Sequence, residues 1–174
     1  MKEIQLTQGK FALVDDEDFE RLNQWKWFTH KDGDNFYAYR NSLTVNGKRT
    51  CIIMHREILG LAKGDTKILV DHINLIGTDN RRENLRTCTN AENLQNKRRY
   101  KNCKSQYKGV HVRDRMRFKK TTDEWVIDKN IRARIRLNGV LIHIGSFKTE
   151  LEAAHAYNLK AIELFGVFAN LNKV

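Results

Sequence analysis

Residues 67–98 read KILVDHINLIGTDNRRENLRTCTNAENLQNKR, and this stretch decides how the first half of the chain is organised. It opens with Lys67 to Val70, an apolar run of strand length that delivers Asp71 and His72 at its end. From His72 to Thr89 the sequence is polar and turn-rich, with Asn74, Gly77, Asp79, Asn80 and Asn84, and is too broken for regular structure until Leu85-Arg86. Thr89 with Glu92 three residues later is a capping-box pair, which predicts a helix running through Asn93 toward Arg98. The local order is strand, ordered loop, helix.

Working outward, residues 1–50 have the grammar of strands and turns. Ile4 to Thr7 and Phe11 to Val14 flank a Gln8-Gly9-Lys10 turn, and a helix with an acidic start is expected from Asp16 to Gln24. Strands follow at Trp25 to Thr29 and Phe36 to Arg40 around a Lys31 to Asp34 hairpin loop; Asn46-Gly47 marks a turn before the strand Thr50 to Met54. A short helix is expected from His55 to Leu61, ended by Lys63-Gly64. In the second half, strands are expected at Lys108 to Arg113, Trp125 to Arg136 and Val140 to Ser146, with Asn138-Gly139 turning the last two. Thr149 and Glu152 form a second capping box, opening a helix with a stripe of Leu151, Ala154, Tyr157, Ala161, Ile162 and Phe165 and a stop at Gly166. Phe168, Ala169 and Leu171 form a closing segment. The fold class is α+β, ending in a three-stranded antiparallel sheet packed on one helix.

The 174 residues carry a net charge of +11, and the excess is local. Residues 1–96 are neutral, with 14 basic and 14 acidic side chains, whereas 97–136 hold 15 Lys and Arg against Asp114, Asp123, Glu124 and Asp128. A charged block of this kind is a polyanion-binding surface, or else a solvated face or basic tail. The interleaved Tyr107, Val110, Val112, Trp125, Ile131 and Ile135 argue against a tail. Trp125 itself is read as core packing. Cys51, Cys88 and Cys103 show no Cys-x-x-Cys spacing, so neither a disulfide framework nor a zinc ribbon is signalled. The start, Met-Lys-Glu-Ile-Gln-Leu-Thr, lacks a signal-peptide core, and no apolar run approaches the roughly 18 residues of a membrane span. A soluble, cytoplasmic protein without membrane association is expected.

An adjacent Asp-His pair is weak evidence by itself, because a His at a strand end is more often a hydrogen-bonded core residue. Asp71, His72, Asn84 and Asn93 together lie on a strand end, a loop and the second turn of a helix, which can fold back on one point. Carboxylate and amide oxygens suit Mg²⁺ or Mn²⁺, and imidazole, with an ordinary pKa of about 6.5, takes a proton from water at neutral pH. Phosphodiester hydrolysis needs a nucleophile, a cation against the phosphate and help for the leaving oxygen. In that scheme His72 deprotonates water, Asp71 and Asn93 hold one divalent cation, and Asn84 orients the imidazole or the phosphate. Asn74, Asp79 and Asn80 read as turn residues. His55 starts a helix beneath the site or meets a phosphate; His30 and His155 receive no role.

The spacing Asp71-His72, Asn84, Asn93 resembles the HNH (His-Me finger, ββα-metal) nucleases, especially phage and intron-encoded homing endonucleases, over roughly 50–99. The resemblance implies a ββα-metal fold, His72 as general base, Asp71 and Asn93 as ligands of a single metal, Asn84 steering the base, and a phage or bacterial setting. The last position is Asn where the family often has His. Residues 105–172 carry a second resemblance through Tyr107-Lys108-Gly109-Val110, Ala133-Arg134-Ile135-Arg136, Ile144-Gly145-Ser146-Phe147, the Thr149 to Tyr157 helix and Phe168-Ala169-Asn170-Leu171-Asn172. They look like the Apetala or ethylene-response-factor DNA-binding domain, which reads the major groove with its sheet. The positions that match its DNA-facing residues are Lys108, His111, Arg113, Arg134, Arg136 and His143. Alternation places Arg132 on the same face as Arg134 and Arg136. Asp114 to Asn130 is longer than that family's hairpin connection.

The expected organisation is a nuclease domain with a strand-rich extension over 1–98, a basic linker over 99–106 and a DNA-binding domain over 107–174. Lys97, Arg98 and Arg99 would track phosphates of double-stranded DNA. One active-site set favours a monomer, with a dimer as the alternative. The function expected is site-selective, metal-dependent DNA cleavage; the competing reading is a sequence-specific DNA-binding regulator with a decayed nuclease fold, against which the intact four-residue set argues.

Overall fold

Apolar residues two apart build the first hairpin of this computed structural model, which describes residues 1–42, 50–61, 65, 67–99 and 102–174. Strands β1 (Lys2–Gln5) and β2 (Phe11–Val14) pair antiparallel across a 3-10 turn at Thr7–Gly9, with Ile4 opposite Ala12. Helix α1 (Asp16–Asn23) has Asp16, Glu17 and Asp18 in its first turn, where the helix dipole favours negative charge. The Trp27 indole donates to the Leu22 carbonyl at 2.8 Å and closes the end of α1. That bond, with Trp25 packed on the Arg40 guanidinium at 4.4 Å, holds the chain out of a sheet, so the strand expected from Trp25 begins at Phe28.

Strands β3 (Phe28–Asp32), β4 (Asn35–Asn41) and β5 (Cys51–Ile53) form an antiparallel sheet in that order, followed by α2 (Met54–Ile58). The β3–β4 hairpin is tighter than the expected loop: Asp32 faces Asn35 across Gly33-Asp34, with Gly33 at φ +58°. The turn expected at Asn46-Gly47 and the stop at Lys63-Gly64 lie outside the described residues. Strands β6 (Leu69–His72) and β7 (Leu85–Cys88) pair antiparallel, and α3 (Asn90–Asn96) follows, capped by the reciprocal Thr89–Glu92 bonds that its sequence predicts. It ends at Asn96, short of Arg98. The chain divides into two units, Met1–Asn93 and Leu94–Val174. The first is centred on Ile4, Val14, Leu22, Trp27, Met54 and Ile58.

In the second unit, β8 (Val110–Lys119), β9 (Glu124–Leu137) and β10 (Val140–Phe147) form an antiparallel sheet in the order β10-β9-β8, and α4 (Glu150–Phe165) packs on it. Thr149 and Glu152 make the capping box. Period-2 alternation turns Ile131, Ala133 and Ile135 toward the helix. The helix answers with Ala153, Ala154, Tyr157, Ala161 and Phe165. Leu151 and Ile162, expected in this stripe, are about half exposed, because the buried face is centred on the small residues that let α4 approach the sheet. The Asp114 to Asn130 stretch is a continuation of β8 and β9 in register from Arg113–Asn130 to Lys119–Glu124, and Trp125 on it is 66 % exposed rather than core.

Gly109 makes the closest approach in this unit. It sits at φ +76°, and a Cβ there would lie 2.0 Å from the Tyr157 ring. Gly109→Ala is expected to destabilise the second unit by about 2–4 kcal/mol through overpacking plus left-handed strain, read as an earlier urea transition in circular dichroism; an unchanged midpoint would show that the ring is not held against Gly109.

Candidate active site and nucleic-acid interface

The segment 73–84 has little regular structure of its own, and its shape comes from what it binds. Leu13 of β2 donates to the Thr78 carbonyl (2.9 Å) and accepts from the Asn80 amide (2.8 Å), adding the segment beside β2 with a parallel bridge to Asp79. From the other side the Asn35 amide donates to the Leu75 carbonyl and its oxygen accepts from Gly77 N–H, at 3.0 and 3.1 Å. Gly77 is required there: a Cβ would meet the Tyr37 ring at 2.5 Å and the Phe36 carbonyl at 2.6 Å. Arg82 then clamps the segment to α1 through both oxygens of Asp18, at 2.8 and 3.0 Å. Burial raises the pKa of Asp18, but its bonds from Arg82 and Arg21 outweigh that and hold it below the usual carboxylate value.

Asn84 is the inner lock of this loop. Its oxygen accepts from Asn74 N–H (2.9 Å), and its amide donates to the Asn74 side chain (3.0 Å) and the Asp79 carbonyl (2.7 Å). These bonds do not reach the imidazole. The residue that faces His72 is Asn80, which in sequence reads as a turn residue: its Oδ1 lies 3.2 Å from His72 Nε2. The Asn80 amide nitrogen points instead to the Thr78 carbonyl and the Met54 sulfur, at 3.4 and 3.5 Å. Since Oδ1 can only accept, Nε2 carries the proton and the lone pair of the neutral ring is on Nδ1.

His72 is buried, in edge contact with His55 at 5.1 Å between centroids and beside Tyr37 at 5.8 Å. Burial lowers its pKa, against opposing pulls from the Asn80 bond, Asp71 and Asp79, so the ring is neutral at neutral pH. His55 is pushed down to about 3, by burial first and then by the neighbouring His72 and Arg56. Two facing imidazoles thus stay uncharged in one buried pocket.

Asp71 has different neighbours, since adjacent strand residues face opposite ways. Its Oδ2 accepts from Nε and Nη2 of Arg86, the residue across from it in β7, at 2.8 and 2.6 Å. The Cys88 thiol is pushed up to about 11 by burial, with the charges of Asp71 and Glu92 adding to it. Asn93 follows Glu92, its backbone amide bonded to the Thr89 carbonyl. By donor type, the Asp71 carboxylate and the Asn93 amide oxygen are hard ligands that would suit a divalent cation, and a carboxylate offers about four acceptor positions, so the Arg86 pairing does not exhaust Asp71. Among the described residues there is no cluster of three or more His, Cys, Asp or Glu that could hold a metal ion.

On the second unit, the face of the sheet away from α4 carries His111, Arg113, Arg132, Arg134, Arg136 and His143. In register His111 lies opposite Arg132, and Arg134 opposite His143. The pKa of His111 is lowered by burial and then by Arg134 and Arg113, which places three of these residues in one electrostatic cluster. Arg136 also donates to the Gly139 carbonyl at 2.9 Å. Lys108 is set apart: its ammonium donates to the Gln95 carbonyl, and burial pushes its pKa down to about 8. Lys97 and Arg98 are exposed just beyond α3, with Arg99 partly covered, and Asn170 holds the carbonyls of Asn96 and Lys97. Tyr100 and Lys101 lie outside the described residues.

The buried histidines make stability depend on pH. An unfolded His55 titrates near 6.5 and the folded one at about 3, so below pH 6.5 the unfolded chain takes up a proton that the folded chain refuses. Stability is fully present above pH 6.5 and is lost as pH falls toward 3. Thermal melts should show the first unit weakening across that window, less steeply in His55→Gln; a melting temperature independent of pH from 6.5 to 4 would contradict the buried neutral ring.

The family model described as HNH endonuclease matches residues 54–95, which span α2, the β6–β7 pair, the loop between them and most of α3. A protein of Acanthamoeba polyphaga mimivirus, named an uncharacterized HNH endonuclease, is 32 % identical over 170 residues, covering 96 % of this chain and 77 % of the relative. No solved structure matches. No helix among the described residues is long and apolar enough to cross a membrane. With the match centred on the hairpin that carries Asp71 and His72, and the likeness to the viral relative extending through both units, the chain belongs to the HNH endonuclease family.

Proposed function

We propose that this protein is a metal-dependent DNA endonuclease of the homing type, in which the first unit cleaves and the sheet of the second unit selects the DNA. The observation that carries the catalytic reading is the neutral, buried His72 with Nε2 turned to Asn80 Oδ1, which leaves Nδ1 as the proton acceptor. Nδ1 takes a proton from water as the water oxygen attacks phosphorus; the bond from phosphorus to the 3′ oxygen breaks, and that oxygen leaves with the electron pair and is protonated from solvent. Asp71 and Asn93 would hold one Mg²⁺ or Mn²⁺. Such a cation neutralises charge on the phosphate and on the departing oxygen. Asn80 positions the imidazole directly, and Asn84 acts through the loop that presents Asn80. Arg86 orients the Asp71 carboxylate in the ββα-metal arrangement.

In this reading a nuclease domain occupies 1–98, a basic linker 99–106 and an Apetala or ethylene-response-factor-like reader 107–174, a division supported by the neutral charge balance of 1–96 and the basic block that begins at Lys97. His111, Arg113, Arg132, Arg134, Arg136 and His143 would meet double-stranded DNA, Lys97, Arg98 and Arg99 would run along phosphates, and Lys108 would act at the edge of this surface. A single catalytic set per chain favours a monomer that nicks.

His72→Ala is expected to reduce cleavage in Mg²⁺ by about 10²–10⁴-fold while DNA affinity stays near that of the wild type. Wild-type protein that cuts no DNA in Mg²⁺ or Mn²⁺, including DNA flanking its own gene, would refute the enzyme reading. For the reader, Arg134→Gln with Arg136→Gln should weaken binding and flatten the dependence of log K on log salt by about one for each phosphate no longer neutralised. A slope equal to that of the wild type would remove these residues from the interface.

A further inference from the structure

Beyond the three-stranded sheet, β8 and β9 run on as a two-stranded ribbon from Arg113–Asn130 to Lys119–Glu124, closed by residues 120–123. At about 3.3 Å per residue it projects about 20 Å. Its two faces differ. One carries Met116 opposite Ile127 and Phe118 opposite Trp125, with exposures of 65, 69, 40 and 66 %. The Phe118 and Trp125 rings meet edge-on at 5.4 Å, one register pair from the end of the strands. The other face carries Arg113, Arg115, Arg117 and Lys119, countered by Asp128, which pairs with Arg117 at 2.8 Å, and by Glu124.

Four large apolar side chains standing in water on a projecting ribbon do not serve the core of the second unit, which is complete beneath α4 without them. We infer that this ribbon is a second DNA-contacting element that enters a groove tip-first, its Phe118–Trp125 pair packing against a base step while its basic face meets phosphates. The inference rests on the DNA-endonuclease reading and adds a binding surface to it. Charge points to the partner: the ribbon carries Arg113, Arg115, Arg117, Lys119, Lys120 and Lys129 against Asp114, Asp123, Glu124 and Asp128, and it grows from a sheet whose Arg132, Arg134 and Arg136 are met by no acidic residue within 131–136, so a polyanion is drawn along the sheet toward the ribbon. Size agrees, since a groove about 12 Å wide admits a two-stranded ribbon. The chemistry agrees as well, because exposed aromatic rings stack on bases of any sequence and apolar wedges unstack and kink a base step.

The test uses the full chain and a random-sequence DNA duplex of several helical turns in a chelator, so that binding is read without cleavage. Phe118→Ala with Trp125→Ala is expected to lower affinity by about 10-fold or more, with the salt slope unchanged because no charge is removed. Tryptophan fluorescence quenched by DNA in the wild type should lose that response in Trp125→Ala, and Trp125→Phe should recover much of the affinity. Both side chains are exposed, so the circular dichroism spectrum and melting temperature should match the wild type. The proposal is overturned by a double variant that binds as tightly as the wild type, by Trp125 fluorescence indifferent to DNA, or by a wild type that does not bind duplex DNA. Sedimentation showing a DNA-free wild-type dimer that the double variant dissolves would also overturn it, by assigning the apolar face to a second copy of the chain. Metal-dependent cleavage by a wild type whose binding ignores these substitutions would sink this proposal and leave the nuclease reading standing.

Discussion

Two backbone hydrogen bonds, from Leu13 to Thr78 and from Asn80 to Leu13, fix the loop that faces His72 onto the N-terminal hairpin. The chain between His72 and Asn84 has too few regular bonds to define a shape alone, so it borrows an edge from β2 and becomes an extra partner of the N-terminal hairpin. Once that edge is set, Asn35 and Arg82 tie down the two ends, and Asn80 is brought to the imidazole. The N-terminal strands are therefore the platform on which the polar groups of the loop become rigid, since a site is only as well placed as the groups that hold it. Gly77 shows how tight the fit is, because the loop passes so close to Tyr37 that a side chain cannot be accommodated.

Burial and charge act differently on the two sides of the β6–β7 pair. On the His72 side, desolvation dominates and keeps two facing imidazoles neutral, the form in which a ring nitrogen can accept a proton. On the Asp71 side, a buried carboxylate is matched by the guanidinium across the strand pair, which offsets the cost of taking it out of water. Strand alternation is the source of this separation. Neighbouring residues in sequence enter different environments, and each environment suits a different chemistry.

In the second unit a single strand carries both the core and the charged surface. Along the last half of β9, Ile131, Ala133 and Ile135 meet α4 while Arg132, Arg134 and Arg136 face away; along its first half the helix is absent and the same alternation leaves Trp125 and Ile127 in water. The position of α4 alone decides which apolar residues become core. Small residues on the helix and Gly109 beneath Tyr157 let the layers close without a bulky hydrophobic interior.

Much of this was legible from residue order. Period-2 alternation in β2 and β9, the Asn138-Gly139 turn, the capping boxes at Thr89 and Thr149, and the local excess of Lys and Arg are short-range properties, and short-range physics writes them directly into sequence. So is the spacing of Asp71, His72, Asn84 and Asn93, whose resemblance pointed to the HNH family that the match over 54–95 and the viral relative show. The sequence could not say that Asn80 rather than Asn84 faces His72, that Arg86 pairs with Asp71, or that Trp125 stands in water. An Asn in a turn looks the same whether its amide closes the turn or meets a buried imidazole, and an aromatic residue in a strand looks the same whether a helix covers it or not. Those distinctions depend on which distant surfaces meet, and only the packing of the loop on β2 and of α4 on part of the sheet decides them.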